Sequence, residues 1–189
     1  MLISKFDTTD IEEKITDLEC QYKIVLPDQY KQFLFKYNGG ETPETSFRLA
    51  RVSSDVCGFF GLGVPNLYYQ FEHYFDDDEI SVFVSEGIFP IGKNSFGDLL
   101  FISIQKEHLG EVLFQYHDRS KNLIKLTDSF SDFVSKCKSK KIKPCRTIEE
   151  RIAGRKAAGI LDDPPPVALQ EWQKEIDRYK NIRQEKLIL

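Results

Sequence analysis

Near the N-terminus the hydrophobic positions recur at a helical interval. Ile11, Ile15, Leu18 and Tyr22 fall at i, i+4, i+7 and i+11 with acids and lysines between them, which predicts a helix over 8–22 with one face in a core. A second helix opens at Pro27, since a proline in the first turn sacrifices no hydrogen bond, and it carries Tyr30, Phe33, Leu34 and Tyr37 on one stripe. Asn38-Gly39-Gly40 ends it, with at least one glycine expected at positive φ. The interval then shortens to two. SFRLARV alternates, and VCGFFGLG follows with glycines spaced as in a bent or edge strand.

Residues 66–75 read as a short Asn-capped helix, terminated by the run Asp76, Asp77, Asp78, Glu79. Apolar segments at 88–91, 99–104, 112–116 and 123–126, separated by turn residues such as Gly97-Asp98 and Gly110, predict hairpin-connected strands. An amphipathic helix with Phe130, Phe133, Val134 and Cys137 on one face closes this part. Helices at both ends and no crossover helices between the strands indicate an α+β fold with a mostly antiparallel sheet of five or six strands. Beyond it, Thr147 and Glu150 form a capping box, Asp162-Asp163-Pro164-Pro165-Pro166 is a stiff spacer, and Leu169, Trp172, Ile176, Tyr179 and Ile182 share one stripe. The expected division is a domain at 1–142 and a C-terminal helical extension at 143–189. The last stripe is expected to pack on its own body, or else on a second copy or a partner.

Charge changes the picture. Residues 1–135 hold 12 basic and 22 acidic side chains, whereas residues 136–189 hold 14 and 8. An acidic body repels nucleic acid and attracts basic proteins. The lysine-rich KCKSKKIK suits a helix C-terminus, whose dipole favours cations. The N-terminal MLISKFDTTDIEE meets acids before any apolar stretch, no run approaches the ~20 apolar residues of a membrane helix, and the cysteines form no CxxC pair, so a reduced, cytoplasmic protein is expected.

Candidate chemistry is sparse. His108 and His117 stand nine apart without further ligands at metal spacing, GFFGLG is not GxGxxG, and DDDE lacks the glycine and final glutamate of a calcium loop. His117-Asp118 beside Ser120 has no GxSxG frame. His73 reads as a half-buried packing residue. No enzyme, cofactor or metal is therefore expected. The acidic run follows an aromatic-rich segment, and charge beside rings is what a protein interface uses. The expected partner-binding residues are Glu72, Phe75, Asp76, Asp77, Asp78, Glu79 and Glu86.

The stretch 26–41, LPDQYKQFLFKYNGGE, resembles the signature of the SUKH superfamily, which unites bacterial immunity proteins with yeast cell-wall synthesis regulators. FPIGKNSFGDLLFIS at 89–103 and GEVLFQYHD at 110–118 are similar to its later strands, so that the resemblance spans 11–140. It implies an α+β domain without catalytic machinery. It further implies an immunity protein that binds and neutralises a cognate toxin of nuclease or deaminase class, expected to be basic, or alternatively a regulatory or scaffolding protein of the cell-wall-regulator type. Neither nucleic acid nor membrane is an expected partner, and a homodimer through the C-terminal helix is the further expectation.

Overall fold

The computed structural model describes residues 1–119, 122–180 and 182–189. In chain order the elements are β1 (Leu2–Lys5), α1 (Ile11–Tyr22), α2 (Asp28–Tyr37), β2 (Gly40–Glu41), β3 (Thr45–Leu49), β4 (Val52–Asp55), β5 (Gly58–Phe59), α3 (Phe71–Tyr74) and α4 (Asp77–Ser85). There follow β6 (Ile88–Lys93), β7 (Leu99–Ser103), β8 (Val112–Gln115), β9 (Leu123–Thr127), α5 (Phe130–Lys136), β10 (Lys138–Ser139), α6 (Ile148–Ala157), α7 (Pro166–Lys180) and β11 (Glu185–Lys186). The fold is α+β. Among the described residues the main sheet has eight strands in the order β11-β1-β2-β5-β6-β7-β8-β9, all neighbours antiparallel, and β10-β3-β4 form a second, three-stranded sheet. The sheet is larger than expected because β1, β2, β5 and β11 are too short to carry an alternating pattern.

The chain folds into two compact units, one of Met1–Lys141 with Gln184–Leu189 and the other Ile142–Arg183. The last residues thus return to the body. Lys186 pairs with Leu2, the Leu187 amide donates to the Met1 carbonyl at 3.1 Å, and Leu187 is buried.

The body is built around rings. Phe33 on α2 is fully enclosed by Tyr30, Tyr37, Phe59 and Phe130, with centroids 5.0 to 5.8 Å away, two of the four edge-on or tilted as ring quadrupoles prefer. Phe47 on β3 joins this core through Phe114 and Phe133. Strand β6 is buried along its whole length, so its sequence IFPIGK is a continuous run and not an alternation.

The α2 terminus organises the neighbouring loops. Asn38 ends the helix at φ 46°, fully buried, and its side-chain amide donates to the carbonyls of Asp7 (2.7 Å) and Leu62 (3.0 Å) while its side-chain oxygen accepts from the Leu62 amide at 2.9 Å. Gly39 follows at φ 77°, where a Cβ would lie 2.7 Å from the Phe59 carbonyl oxygen. The backbone there must be left-handed and close to a neighbouring strand, which only glycine tolerates.

The second unit is built differently. Thr147 caps α6 with the expected capping box, and Arg151 links α6 to α7 through Glu175 at 2.8 Å and lies 5.6 Å from the Trp172 ring centre. No residue of either helix is fully buried, and Leu169, Trp172, Ile176 and Tyr179 are half-buried.

Candidate functional site

The segment after β5 places the acids. Residues 66–70 form a turn in which Asn66 accepts from the amides of Tyr68, Tyr69 and Gln70, and only Phe71–Tyr74 is helical. The acidic run does not end that helix. It opens the next one: Asp76 is the N-cap of α4, its carboxylate accepts from the Glu79 amide at 2.8 Å, and Glu79 accepts from the Asp76 amide at 3.2 Å. Acids are stable there because the first turn presents free N–H groups and the positive end of the helix dipole. Three of the four acids, Asp76, Asp77 and Glu79, are therefore held by hydrogen bonds at the start of a helix.

Asp76, Asp77, Asp78, Glu79 and Glu72 are exposed on this one stretch. Asp77 accepts from the Tyr22 hydroxyl at 2.7 Å and from Gln21 at 3.0 Å, tying α4 to α1. The Tyr22 phenol is raised in pKa by burial, by that hydrogen bond and by the charges of Asp77 and Glu72. Glu72 accepts from the Gly63 amide with both oxygens, at 3.0 and 3.1 Å. In the preceding turn Leu67 and Tyr68 expose about half their surface, 52% and 53%.

Two expected site residues fall elsewhere. Phe75 turns inward, 7% exposed, against Phe60, Phe71, Tyr74 and Phe83, because the backbone between α3 and α4 is extended there and aims the ring into the core. Glu86 is exposed but caps the far end of α4, about 14 Å along the helix axis from the acidic turn. His73 is exposed, not half-buried.

Sequence reasoning missed Lys93. This last residue of β6 is 1% exposed, and its Nζ has no hydrogen-bond partner among the described residues. The ammonium lies 3.0 Å from the ring centre of Tyr68 and 4.0 Å from that of Tyr74, with Tyr69 and Phe60 at 5.3 and 5.8 Å. Burial lowers its pKa to about 8, against a smaller raising effect of the Cys57 thiol. Burial also pushes the Cys57 thiol up to about 11, with Asp55 adding to the effect. No local pattern marks such a lysine.

A polar network occupies the β6–β7 hairpin. Asp98, buried, accepts from the His117 amide at 2.9 Å and from Asn94 at 2.8 Å, and lies 2.7 Å from His117 Nδ1. Burial raises the Asp98 carboxyl, but these hydrogen bonds outweigh it and leave the group below its usual range. The partner of His117 is thus Asp98 and not Asp118, and Ser120 lies outside the described residues. A separate apolar pocket of about 440 Å³ is lined by Ile24, Val25, Val84, Ile104 and Leu109 with Lys23 and Lys106 beside them. Among the described residues there is no His/Cys/Asp/Glu cluster that could hold a metal, and no helix long and apolar enough to cross a membrane.

A family model, that of the SMI1 / KNR4 family (SUKH-1), matches residues 12–136. The chain belongs to this family. The SUKH-1 match runs from the first turn of α1 to the end of α5 and so contains the acidic turn, the Lys93 cage and Asn38. No curated protein and no solved structure matches the chain. SUKH-1 membership fits an immunity or a regulatory role exercised through protein contacts, in a family that is generally non-catalytic.

Proposed function

We propose that this SUKH-1 chain is a non-catalytic, cytoplasmic immunity protein that binds and neutralises a cognate toxin, of nuclease or deaminase class, from a bacterial polymorphic toxin system. The observation that carries the reading is the acidic first turn of α4, with Glu72 before it and the exposed Leu67 and Tyr68 in the preceding turn. A toxin that grips nucleic acid is basic where it meets phosphate. Fixed carboxylates on the inhibitor imitate that phosphate field and speed encounter, while the exposed aliphatic and aromatic side chains supply the desolvated contact that slows release. Asp76, Asp77, Asp78, Glu79 and Glu72 are the residues assigned to this surface, and Glu86 to its margin.

The test is a search of the genes adjacent to this one for a toxin domain, followed by titration of that domain with the chain. One equivalent of the chain is expected to abolish toxin activity, and full activity at tenfold excess of the chain contradicts the reading. A second reading, a regulator or scaffold of the cell-wall-regulator type, is favoured by the half-buried stripe of α7, which suits docking of a partner or a second copy. Loss of partner binding on removal of 142–183, with the acidic turn intact, would support that second reading.

A further inference from the structure

Lys93 is a buried ammonium with no hydrogen-bond partner among the described residues. An ammonium in water has three hydrogen-bond acceptors, and ring faces replace them only in part. Buried charges are otherwise paired. The carboxylates of the neighbouring segments are already engaged: Glu72 holds the Gly63 amide, Glu79 the Asp76 amide, Glu41 the Asn66 side chain at 3.1 Å, and Asp55 the Ser95 amide and hydroxyl at 3.1 Å. None of them is hydrogen-bonded to Nζ.

The cage has one thin wall. Tyr74 is only partly exposed, Tyr69 and Phe60 are buried, and Tyr68 is half-exposed. Its ring is held by the ammonium and by an edge contact with Tyr69 at 5.0 Å. Because Tyr68 is the exposed wall, rotating this one side chain opens Lys93 to solvent. The field of the acidic body, with 12 basic and 22 acidic side chains in residues 1–135, decides what approaches. A free polyanion is repelled by Glu72, Asp76, Asp77, Asp78 and Glu79, whereas a basic protein surface is drawn in and can bring one carboxylate with it.

We propose that Lys93 is the floor of a carboxylate-binding site covered by Tyr68, and that a single Asp or Glu set within the basic surface of a protein partner displaces Tyr68 to pair with it. The proposal deepens the reading of a basic partner and rests on it for the source of the carboxylate. A carboxylate among basic groups is the composition of an active site that handles phosphate, so an inhibitor that takes up this carboxylate would bind the toxin at its chemistry.

The test uses the full chain with isotope-labelled lysine and tyrosine, and two end-capped tripeptides as probes, Lys-Asp-Lys and Lys-Asn-Lys, followed by NMR at fixed ionic strength. Lys-Asp-Lys is expected to shift the Lys93 side-chain and Tyr68 ring signals saturably, and to raise the Lys93 titration midpoint from about 8. Lys-Asn-Lys should shift neither. Lys93→Met, an apolar replacement of similar length, should fold and lose the Tyr68 response. Tyr68→Ala should bind Lys-Asp-Lys about threefold tighter or more, because the closed ring no longer competes. Equal shifts from the two peptides, or an unchanged response in Lys93→Met, would overturn the site while leaving the basic-partner reading intact. A normal response to Lys-Asp-Lys in a chain that leaves the toxin fully active would instead overturn the partner reading and keep the site.

Discussion

Phe33 in the body is completely shut off from water among Tyr30, Tyr37, Phe59 and Phe130, while Trp172, the largest side chain of the second unit, is half-buried with an arginine 5.6 Å from its ring centre. In the body α1 buries Ile11, Ile15 and Leu18 and α2 buries Tyr30, Phe33, Leu34 and Tyr37, whereas α6 and α7 bury no residue fully. Close packing fixes a single arrangement in the body. The helical pair relies on a cap, an ion pair at the surface and a partly wet stripe, with the cap and the ion pair each worth about 1 kcal/mol or less. The body is the close-packed platform for the acidic turn, and the helical pair keeps its apolar stripe partly in water.

Truncating a ring should affect the two regions most unequally. Phe33→Ala should cost the body about 3–5 kcal/mol, the range for a buried aromatic that leaves a cavity. Trp172→Ala should cost about 1–2 kcal/mol, since only part of the side chain leaves water. Denaturant unfolding of both variants checks this, and equal losses would show the two regions to be packed alike.

Deletions come next in size. Cutting the chain after Pro164 removes β11 and buried Leu187 as well as α7, and Tyr37 loses its hydrogen bond from the Ile188 amide. A loss of about 2–4 kcal/mol is expected from the body. Replacing 142–183 by a short Gly/Ser linker should change the body's stability by less than about 1 kcal/mol. The linker is feasible because Leu2 touches both ends, accepting Lys186 as its strand partner and donating its amide to the Ser139 hydroxyl at 2.8 Å. Thermal melting of the two variants separates the contribution of β11 from that of the helical pair.

Lys93→Met should change the stability of the body in a pH-dependent way. A lysine held near 8 when folded and near 10.5 when unfolded binds more protons in the unfolded state between those values, so wild-type stability rises with pH from about 8 to about 10.5. Below about 8 both states are protonated and the burial penalty is fully present. The substitution should therefore stabilise the chain by about 1–3 kcal/mol at neutral pH, after allowing for the lost cation–π contacts, and by progressively less above pH 8. Urea unfolding at three pH values measures the slope.

The elements legible in the sequence are those with a repeated period. α1 and α2 show every core residue at helical spacing, and Asn38-Gly39-Gly40 announces its own turn chemistry. The strands β6 to β9 stand out as apolar runs between turn residues. Strands of two to four residues, such as β1 and β11, hold too few positions to alternate, and their pairing is decided by contacts across the whole chain. α4 is hidden by its charges: four acids suggest a solvated loop, yet Ile80, Phe83 and Val84 follow at helical spacing and acids suit a first turn. In the candidate site, Glu72 and the acidic run are legible as composition, while the inward turn of Phe75 and the burial of Lys93 depend on packing against residues that no local pattern marks.

Association kinetics measure whether the first turn of α4 draws in a basic partner. Asp76→Asn, Asp77→Asn, Asp78→Asn and Glu79→Gln combined should keep the helix start, because Asn still caps and Gln still completes the box. Stopped-flow association with the toxin domain should slow by about tenfold at low salt, and by about twofold or less near 0.5 M salt, where screening removes long-range steering. An association rate unaffected by both the substitutions and the salt would contradict such steering.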